Sequence, residues 1–326
     1  MKHTILGAGG SIGNPLAHEL LKAGGNIRLV SRSNYSIPGT ESFKADISSY
    51  EETLKSIQGS DVVYLCAGLA YDLKVWRELW PKIMQNVIDA CKKVNARLIF
   101  FDNVYMYGKV DGKMTETTAY NPCSKKGEIR AKIATLLEKE MKQNNIQAII
   151  ARAADLYGPY ATKNSVPYIL AIDNLMKGKK AQWLVDINKS HSYTYTMDCA
   201  KALHLLSGRD ECYNQVWHMP TCNPGITGKT FIELAAKEIG ITPNYTVLKK
   251  WMVKMMGFFN KTVNESYEML YQSEFEYYFD STKFNDFFNF KPMTYPEGIH
   301  ETIAFLKRES ADPERQNNVQ AGSSVL

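Results

Sequence analysis

The segment TILGAGGSIG, residues 4–13, decides how this chain is read. A short apolar run at 3–6 passes into a GxxGxxG array of Gly7, Gly10 and Gly13. Residues 14–23 follow with Leu16, Leu20 and Ala23 at helical spacing, so the pattern is strand, glycine turn, helix. Glycines in such a turn let the chain reverse tightly, let its backbone approach a pyrophosphate, and let the helix pack close on the strand. The helix start adds unpaired N–H groups and a partial positive charge. Gly7, Gly10, Ser11, Ile12 and Gly13 are therefore expected to cradle the phosphates of a dinucleotide.

The next strand, 27–30, ends in Ser31 and Arg32. A carboxylate there would hold a ribose 2′-hydroxyl and select NAD. A hydroxyl and a guanidinium suit a 2′-phosphate, so NADP is favoured and NAD is the alternative. A third strand at 42–45 ends at Asp46, which with Ile47 is placed to meet the adenine edge. DVVYLCAG, residues 61–68, is the continuous apolar run that a central parallel strand needs. It brings Cys66, Ala67 and Gly68 to the cofactor.

The chain of 326 residues suits a nucleotide domain plus a smaller substrate lobe. Its net charge of +5 comes from 39 basic and 34 acidic residues spread along the chain. No basic run is interleaved with aromatics, so a nucleic-acid partner is not expected. No apolar stretch reaches the ~18 residues of a membrane span, so no membrane partner is expected either. The chain opens directly in a strand and a glycine turn, which is not the pattern of a secretory signal. Six scattered cysteines without a CxxC or a Cys/His cluster fit reduced thiols and no metal site. The expected location is the cytoplasm.

Strands and helices alternate through residue 151. The fourth strand is followed by a helical stretch at 72–94, a strand at 97–101, a charged amphipathic helix at 124–143 and a strand at 147–151. This order predicts an α/β fold, a Rossmann-type doubly wound parallel sheet with a smaller mixed α/β C-terminal substrate lobe. The expected dinucleotide-binding domain covers 1–160, with 190–218 returning to it. The substrate lobe takes 161–189 and 219–309, including a helix near 164–177 and walls rich in Met, Phe and Tyr over 244–297. Residues 310–326 read as a disordered tail. Trp76, Trp80 and Met84 stand four apart and predict a buried helix face, with a homodimer interface as the alternative. Pro81 is expected to mark a helix start.

Together these segments resemble the extended short-chain dehydrogenase/reductase family over roughly residues 3–305. The resemblance rests on the glycine array, on Asp46, on Ala67-Gly68, and on FDNVYMYG (101–108), which matches the family's Ser-Ser-x-x-Val-Tyr-Gly. It rests also on Asn121-Pro122-x-Ser124, on RAADLYGP (152–159) and on HSYTYTMDCA (191–200). In that family a Tyr exchanges the proton, a Lys four residues on binds ribose and lowers the Tyr pKa, and a Ser or Thr polarises the substrate oxygen. Carried forward from Asn121-Pro122-x-Ser124, the first two positions are Lys126 and Arg130, and the third is Asn103. The Asn that often begins the preceding long helix falls on Trp80, and the Arg of the substrate lobe is His191. The chain thus resembles an atypical branch described only as NAD-dependent epimerase/dehydratase.

These departures leave several candidates. Lys126 can act as an acid if burial or the Arg130 charge lowers its pKa; otherwise it contacts phosphate or ribose. Arg130 can still bond ribose hydroxyls but cannot be an acid. Ala153 joins the cofactor contacts through the resemblance. Asn103 can donate to a carbonyl oxygen or cap the strand end. Tyr105 and Tyr157, read as loop residues over the cofactor, can replace the lost Tyr, with Lys126 favouring the phenolate; Tyr105 is the better placed. His191 can shuttle a proton or hold a carboxylate or phosphate, beside Asp155, Tyr105 and Tyr157 as substrate contacts. Tyr-x-x-x-Lys recurs at Tyr105/Lys109 and Tyr245/Lys249, where neither setting gives the helical pairing.

The reading is an NAD(P)-dependent oxidoreductase or epimerase-like protein, with NADPH-dependent reduction of a small carbonyl or sugar-derived substrate foremost. A non-catalytic NADP(H)-binding sensor or scaffold is one alternative. A nucleotide-sugar epimerase or dehydratase is the other, placed behind a reductase because His191 stands where an Arg would grip a diphosphate.

Overall fold

A computed structural model describes residues 1–33 and 35–311. The apolar runs form β1 (Lys2–Leu6), β2 (Asn26–Ser31), β3 (Glu41–Lys44), β4 (Val62–Leu65), β5 (Arg97–Asp102), β6 (Ala148–Arg152) and β7 (Gln215–His218). All pair in parallel, in the order β7-β6-β5-β4-β1-β2-β3. The chain starts mid-sheet, winds out through β2 to β3, then returns to β4 and winds the other way. The crevice at the carboxyl ends of β1 and β4 is thus the topological switch point, where open α/β sheets take their ligands.

Alternate residues of each strand face opposite helical layers, as the two-residue strand period requires. Ile5, Tyr64, Ile99 and Ile149 meet α1 (Gly13–Lys22) and the helix Thr196–Ser207. Leu6, Leu65, Phe100 and Ile150 meet α2 (Tyr50–Ile57), α3 (Leu73–Val94) and α4 (Lys125–Lys142). The last three helices begin on side-chain caps. Ser49 accepts from the Glu52 N–H, Asp72 from Lys74 and Val75, and Ser124 from Gly127.

Pro81 lies inside α3, not at its start, which corrects the sequence expectation. An interior proline costs roughly 3 kcal/mol. The stripe of Trp76, Trp80, Ile83, Met84, Val87 and Ile88, buried on both sides of it, carries the helix through. Trp76, Trp80 and Met84 therefore pack on the sheet, as their spacing predicts.

The second half adds short paired strands. Asp155–Tyr157 pairs with Tyr193–Tyr195, and Ala181–Leu184 with Tyr245–Leu248. A separate core gathers Tyr157, Trp183, Phe231, Tyr295 and Ile299 beneath the helices Gly228–Ile239 and Tyr295–Ala311. The expected helix near 164–177 contains a π-turn at Tyr168–Ile172. Residues 310 and 311 end the last helix, while the rest of the expected tail, 312–326, lies outside the described residues.

Candidate functional site

The glycine turn has the shape its sequence implies. Gly7 and Gly9 take φ of 96° and 81°, in the left-handed region that side chains avoid. A Cβ on Gly7 would fall 2.5 Å from Ala67 Cα, and one on Gly13 would fall 2.6 Å from the Gly7 carbonyl oxygen. The absent side chains thus bring β4 against the turn and α1 against β1. Gly9 was not among the expected residues, because the GxxGxxG template counts every third position; the doubled glycine at 9–10 is the signal for it. A Cβ on Gly68 would meet nothing within 4 Å, so the crevice is open there. Unlike α2, α3 and α4, helix α1 has no side-chain cap, and its first turn carries no acid. Its leading N–H groups suit an anion. The Ser11 hydroxyl donates to Asn164 Oδ1 at 2.6 Å, bringing the loop before Ser165 to the rim.

Along the rim, the Ser31 hydroxyl donates to the Ser33 carbonyl, and Arg32 is exposed within electrostatic reach of Asp46. Asp46 accepts from the Ser48 N–H at 2.9 Å. Ile47 is partly buried, and its carbonyl accepts from the Asn86 amide at 3.1 Å. Burial pushes the Cys66 thiol far up, so it stays protonated. No group of three His, Cys, Asp or Glu among the described residues has a metal-binding arrangement.

The two helix positions that replace Tyr and Lys are both occupied by partners. Lys126 is 1% exposed. Its Nζ donates to Glu265 Oε2 at 2.6 Å, to the Glu265 carbonyl at 2.9 Å and to Glu268 Oε1 at 3.1 Å. It also lies 4.7 Å above the Tyr71 ring. Glu265 and Glu268 come from the helices Lys261–Ser266 and Tyr267–Ser273, which strap across the ends of α3 and α4. Arg130 turns to Asp102 at the end of β5, with Nε donating to Oδ1 at 2.7 Å and Nη2 bonding the same oxygen. Its guanidinium stacks 4.5 Å from Trp80 and 5.0 Å from Phe100. The ribose contact expected of Arg130 is thus replaced here by a buried ion pair.

Tyr105 lies on the single 3₁₀ turn after β5 and is partly buried. It lies within electrostatic reach of the Tyr71 hydroxyl and stacks on Trp76 with ring centroids 6.3 Å apart. Burial, then the Asp155 charge, raise its pKa well above the usual phenol value. This corrects the expectation that Lys126 favours a Tyr105 phenolate: that ammonium is matched by two carboxylates, and Tyr105 holds its proton. Asn103 Oδ1 accepts from the Tyr105 N–H at 3.1 Å, so its carbonyl end is engaged as a cap.

Asp155 Oδ2 meets His191 Nε2 at 3.1 Å. The imidazole is sandwiched by Tyr277 at 4.2 Å and Tyr193 at 4.5 Å. Tyr193, Tyr271 and Tyr277 all lie within electrostatic reach of Asp155. Ala153 is buried, and its N–H donates to the Asp102 carbonyl.

Tyr157 is on a strand, not a loop, and its ring packs with Tyr195, Tyr295 and Phe231 in the separate core of the second half. Its buried hydroxyl has no hydrogen-bond partner among the described residues. Tyr157→Phe is therefore expected to leave turnover unchanged and stability unchanged or raised by up to about 1 kcal/mol, read from urea melts of both proteins. A tenfold loss of turnover would place Tyr157 in the chemistry after all.

A buried polar chain escaped the sequence reading. Asp102, Arg152 and His218 are register neighbours on β5, β6 and β7. Arg152 Nη1 donates to the Tyr107 hydroxyl at 2.8 Å, which donates to His218 Nε2 at 2.9 Å. His218 Nδ1 donates to the Asp280 carbonyl at 2.7 Å, and burial lowers its pKa to about 3, so the ring is neutral. An acid or base ending an apolar strand, as in RLIFFD and AIIAR, was the available signal.

With this geometry in place, comparison with known proteins is informative. A family model described as the NAD dependent epimerase/dehydratase family matches residues 3–215. A Bacillus subtilis (strain 168) protein named as an uncharacterized UDP-glucose epimerase, YtcB, is 22% identical over 232 residues, 64% of this chain and 73% of its own. The UDP-glucuronic acid 4-epimerase of Bacillus cereus, solved with NAD, superposes with a TM-score of 0.77 at 18% identity, covering 94% of this chain and 99% of that one. A double mutant of the dTDP-glucose 4,6-dehydratase DesIV of Streptomyces venezuelae, also solved with NAD, reaches 0.79 at 15% identity, covering 95% and 98%. At these identities the superpositions speak for the fold.

Proposed function

We propose, from the premise that this chain belongs to the NAD dependent epimerase/dehydratase family, that it reduces a small carbonyl or sugar-derived substrate with NADPH. The dinucleotide would lie across the switch-point crevice on the Gly7–Gly13 turn and supply the hydride. Exposed Arg32 and the absence of a carboxylate at Ser31 support the 2′-phosphorylated form, although the solved relatives hold NAD. Everything else in the reaction falls to the protein: orienting the carbonyl, excluding water, and delivering one proton to its oxygen.

The observation that carries this reading is the state of Tyr105. It stands at the carboxyl end of β5 as a neutral phenol whose proton burial and Asp155 both retain. A retained proton suits an acid that protonates a developing alkoxide, which is the reductive direction. The Tyr71 hydroxyl, within electrostatic reach, supports the oxygen left behind. Asp155, Glu265 and Glu268 make this region rich in carboxylates, and His191 is bound to Asp155. That environment repels a diphosphate, which favours an uncharged carbonyl over a nucleotide sugar. A non-catalytic NADP(H)-binding sensor is the second reading, favoured by the enclosure of Lys126 between two carboxylates.

Deuterium transfer tests both. The protein is incubated with a metabolite extract and NADPH labelled at C4, in separate pro-R and pro-S samples, with labelled NADH in parallel. Label is expected in one product, from one face, and faster from NADPH. Tight NADPH binding with no label in any compound, and no interconversion of added sugar nucleotides, would select the sensor. Interconversion of UDP-sugars would select the epimerase.

A further inference from the structure

We propose that the stretch 249–261 is a docking face for an anionic lipid surface. The helix Lys250–Gly257 and the turn after it present Trp251, Met255, Phe258 and Phe259, which are 68%, 53%, 72% and 92% exposed. Among the described residues, Met1 is the one other large apolar side chain more than half exposed. Scattered surface apolar residues are ordinary, but a contiguous group marks an interaction site. Trp251 and Met255 stand one turn apart on this helix, and Phe258 and Phe259 follow directly in the turn that ends it. The inner face is already filled, since Val253 is buried with Leu248 and Leu270 in a small cluster of its own. The outward aromatics are therefore not a misplaced core.

Charge identifies the occupant. Lys249, Lys250, Lys254 and Lys261 flank these apolar side chains, and no Asp or Glu occurs from 249 to 264. Lys250 and Lys261 pair with Glu274 and Asp72 and fasten the ends of the stretch. Lys249 and Lys254 remain exposed beside the aromatics. Rings at headgroup depth with lysines reaching phosphates are the composition of a helix lying in a bilayer interface. No described helix is long and apolar enough to cross a membrane, so this face rests on the surface. The expectation against a membrane partner rested on spanning length, which such a helix does not need. A second copy of the chain fits less well, because a two-fold pairing would set Lys249 and Lys254 against their own copies.

Co-sedimentation of the full chain with vesicles tests the proposal, comparing phosphatidylcholine alone with phosphatidylcholine carrying about one third phosphatidylglycerol. The protein is expected to sediment with the anionic vesicles and stay free of the neutral ones, and added salt is expected to release it. Phe258→Ser/Phe259→Ser and, separately, Lys249→Glu/Lys254→Glu are each expected to cut the partition coefficient roughly tenfold or more. These side chains are exposed, so circular dichroism should show both variants folded. Failure to bind anionic vesicles, equal binding to neutral ones, or unchanged binding by either variant would overturn the proposal. So would light scattering that showed a dimer which Phe258→Ser/Phe259→Ser splits, since the face would then belong to a second copy.

Discussion

Asp102→Ala is expected to lower the unfolding free energy by about 3–5 kcal/mol, a large share of a typical domain's total. The carboxylate is fully buried, and two arginines face it, of which Arg130 has no other polar partner among the described hydrogen bonds and ion pairs. Arg130 bonds it through Nε and Nη2, and Arg152 Nε lies 3.8 Å from its second oxygen. Alanine would strand the Arg130 guanidinium in a region closed by Trp80 and Phe100, where unpaired charge is costly. The effect should appear as a drop in urea midpoint with an unchanged slope. The companion variant Asp102→Ala/Arg130→Met should recover part of the loss, because Arg130 already sits among aromatic rings while Arg152 keeps Tyr107, Tyr120 and Glu138. If Asp102→Ala cost less than about 1 kcal/mol, the pairing would be ornamental.

This network also marks where the sequence stops being legible. Apolar runs and glycines are local signals, and they located the central strands and the glycine turn. Ion pairs leave no such trace. Lys126 meets its partners 139 and 142 residues away, and nothing in the strings around Lys126, Glu265 or Glu268 announces the contact. For the same reason Arg130, read by position as a ribose ligand, is instead bound to Asp102. Tyr157 was misplaced because a Tyr-Gly-Pro string reads as a loop, whereas its pairing with the strand at 193–195 is a tertiary event. Pro81 shows packing overriding a local breaker. What remained readable at the site was chemical type: a missing Tyr, a phenol nearby, and His191 where an Arg was expected.

Those types converge on Tyr105→Phe, which is expected to lower the rate of carbonyl reduction roughly 10²- to 10⁴-fold, the usual contribution of a positioned acid. The dissociation constant for NADPH should not move, since the phenol oxygen is not among the groups assigned to the dinucleotide. Tyr71→Phe should cost less, because it removes a neighbouring hydroxyl that supports the phenol oxygen and not the transferred proton. The pH profile separates an acid from a structural residue. The active form is the protonated phenol, and both burial and Asp155 raise its pKa above the ordinary value of 10. Reduction by the unmodified protein should therefore hold level from about pH 7 to 9 and fall only above the usual phenol range. Asp155→Asn removes the largest charge that holds the proton, so it should move that upper limb toward lower pH. Lys126→Met offers the opposing test. If Lys126 were the acid, Lys126→Met would abolish turnover while Tyr105→Phe left it intact. If Tyr105 is the acid, the Tyr105→Phe variant should lose turnover while remaining folded and binding NADPH. The Lys126→Met variant should lose stability first, because Glu265 and Glu268 would face each other without their cation.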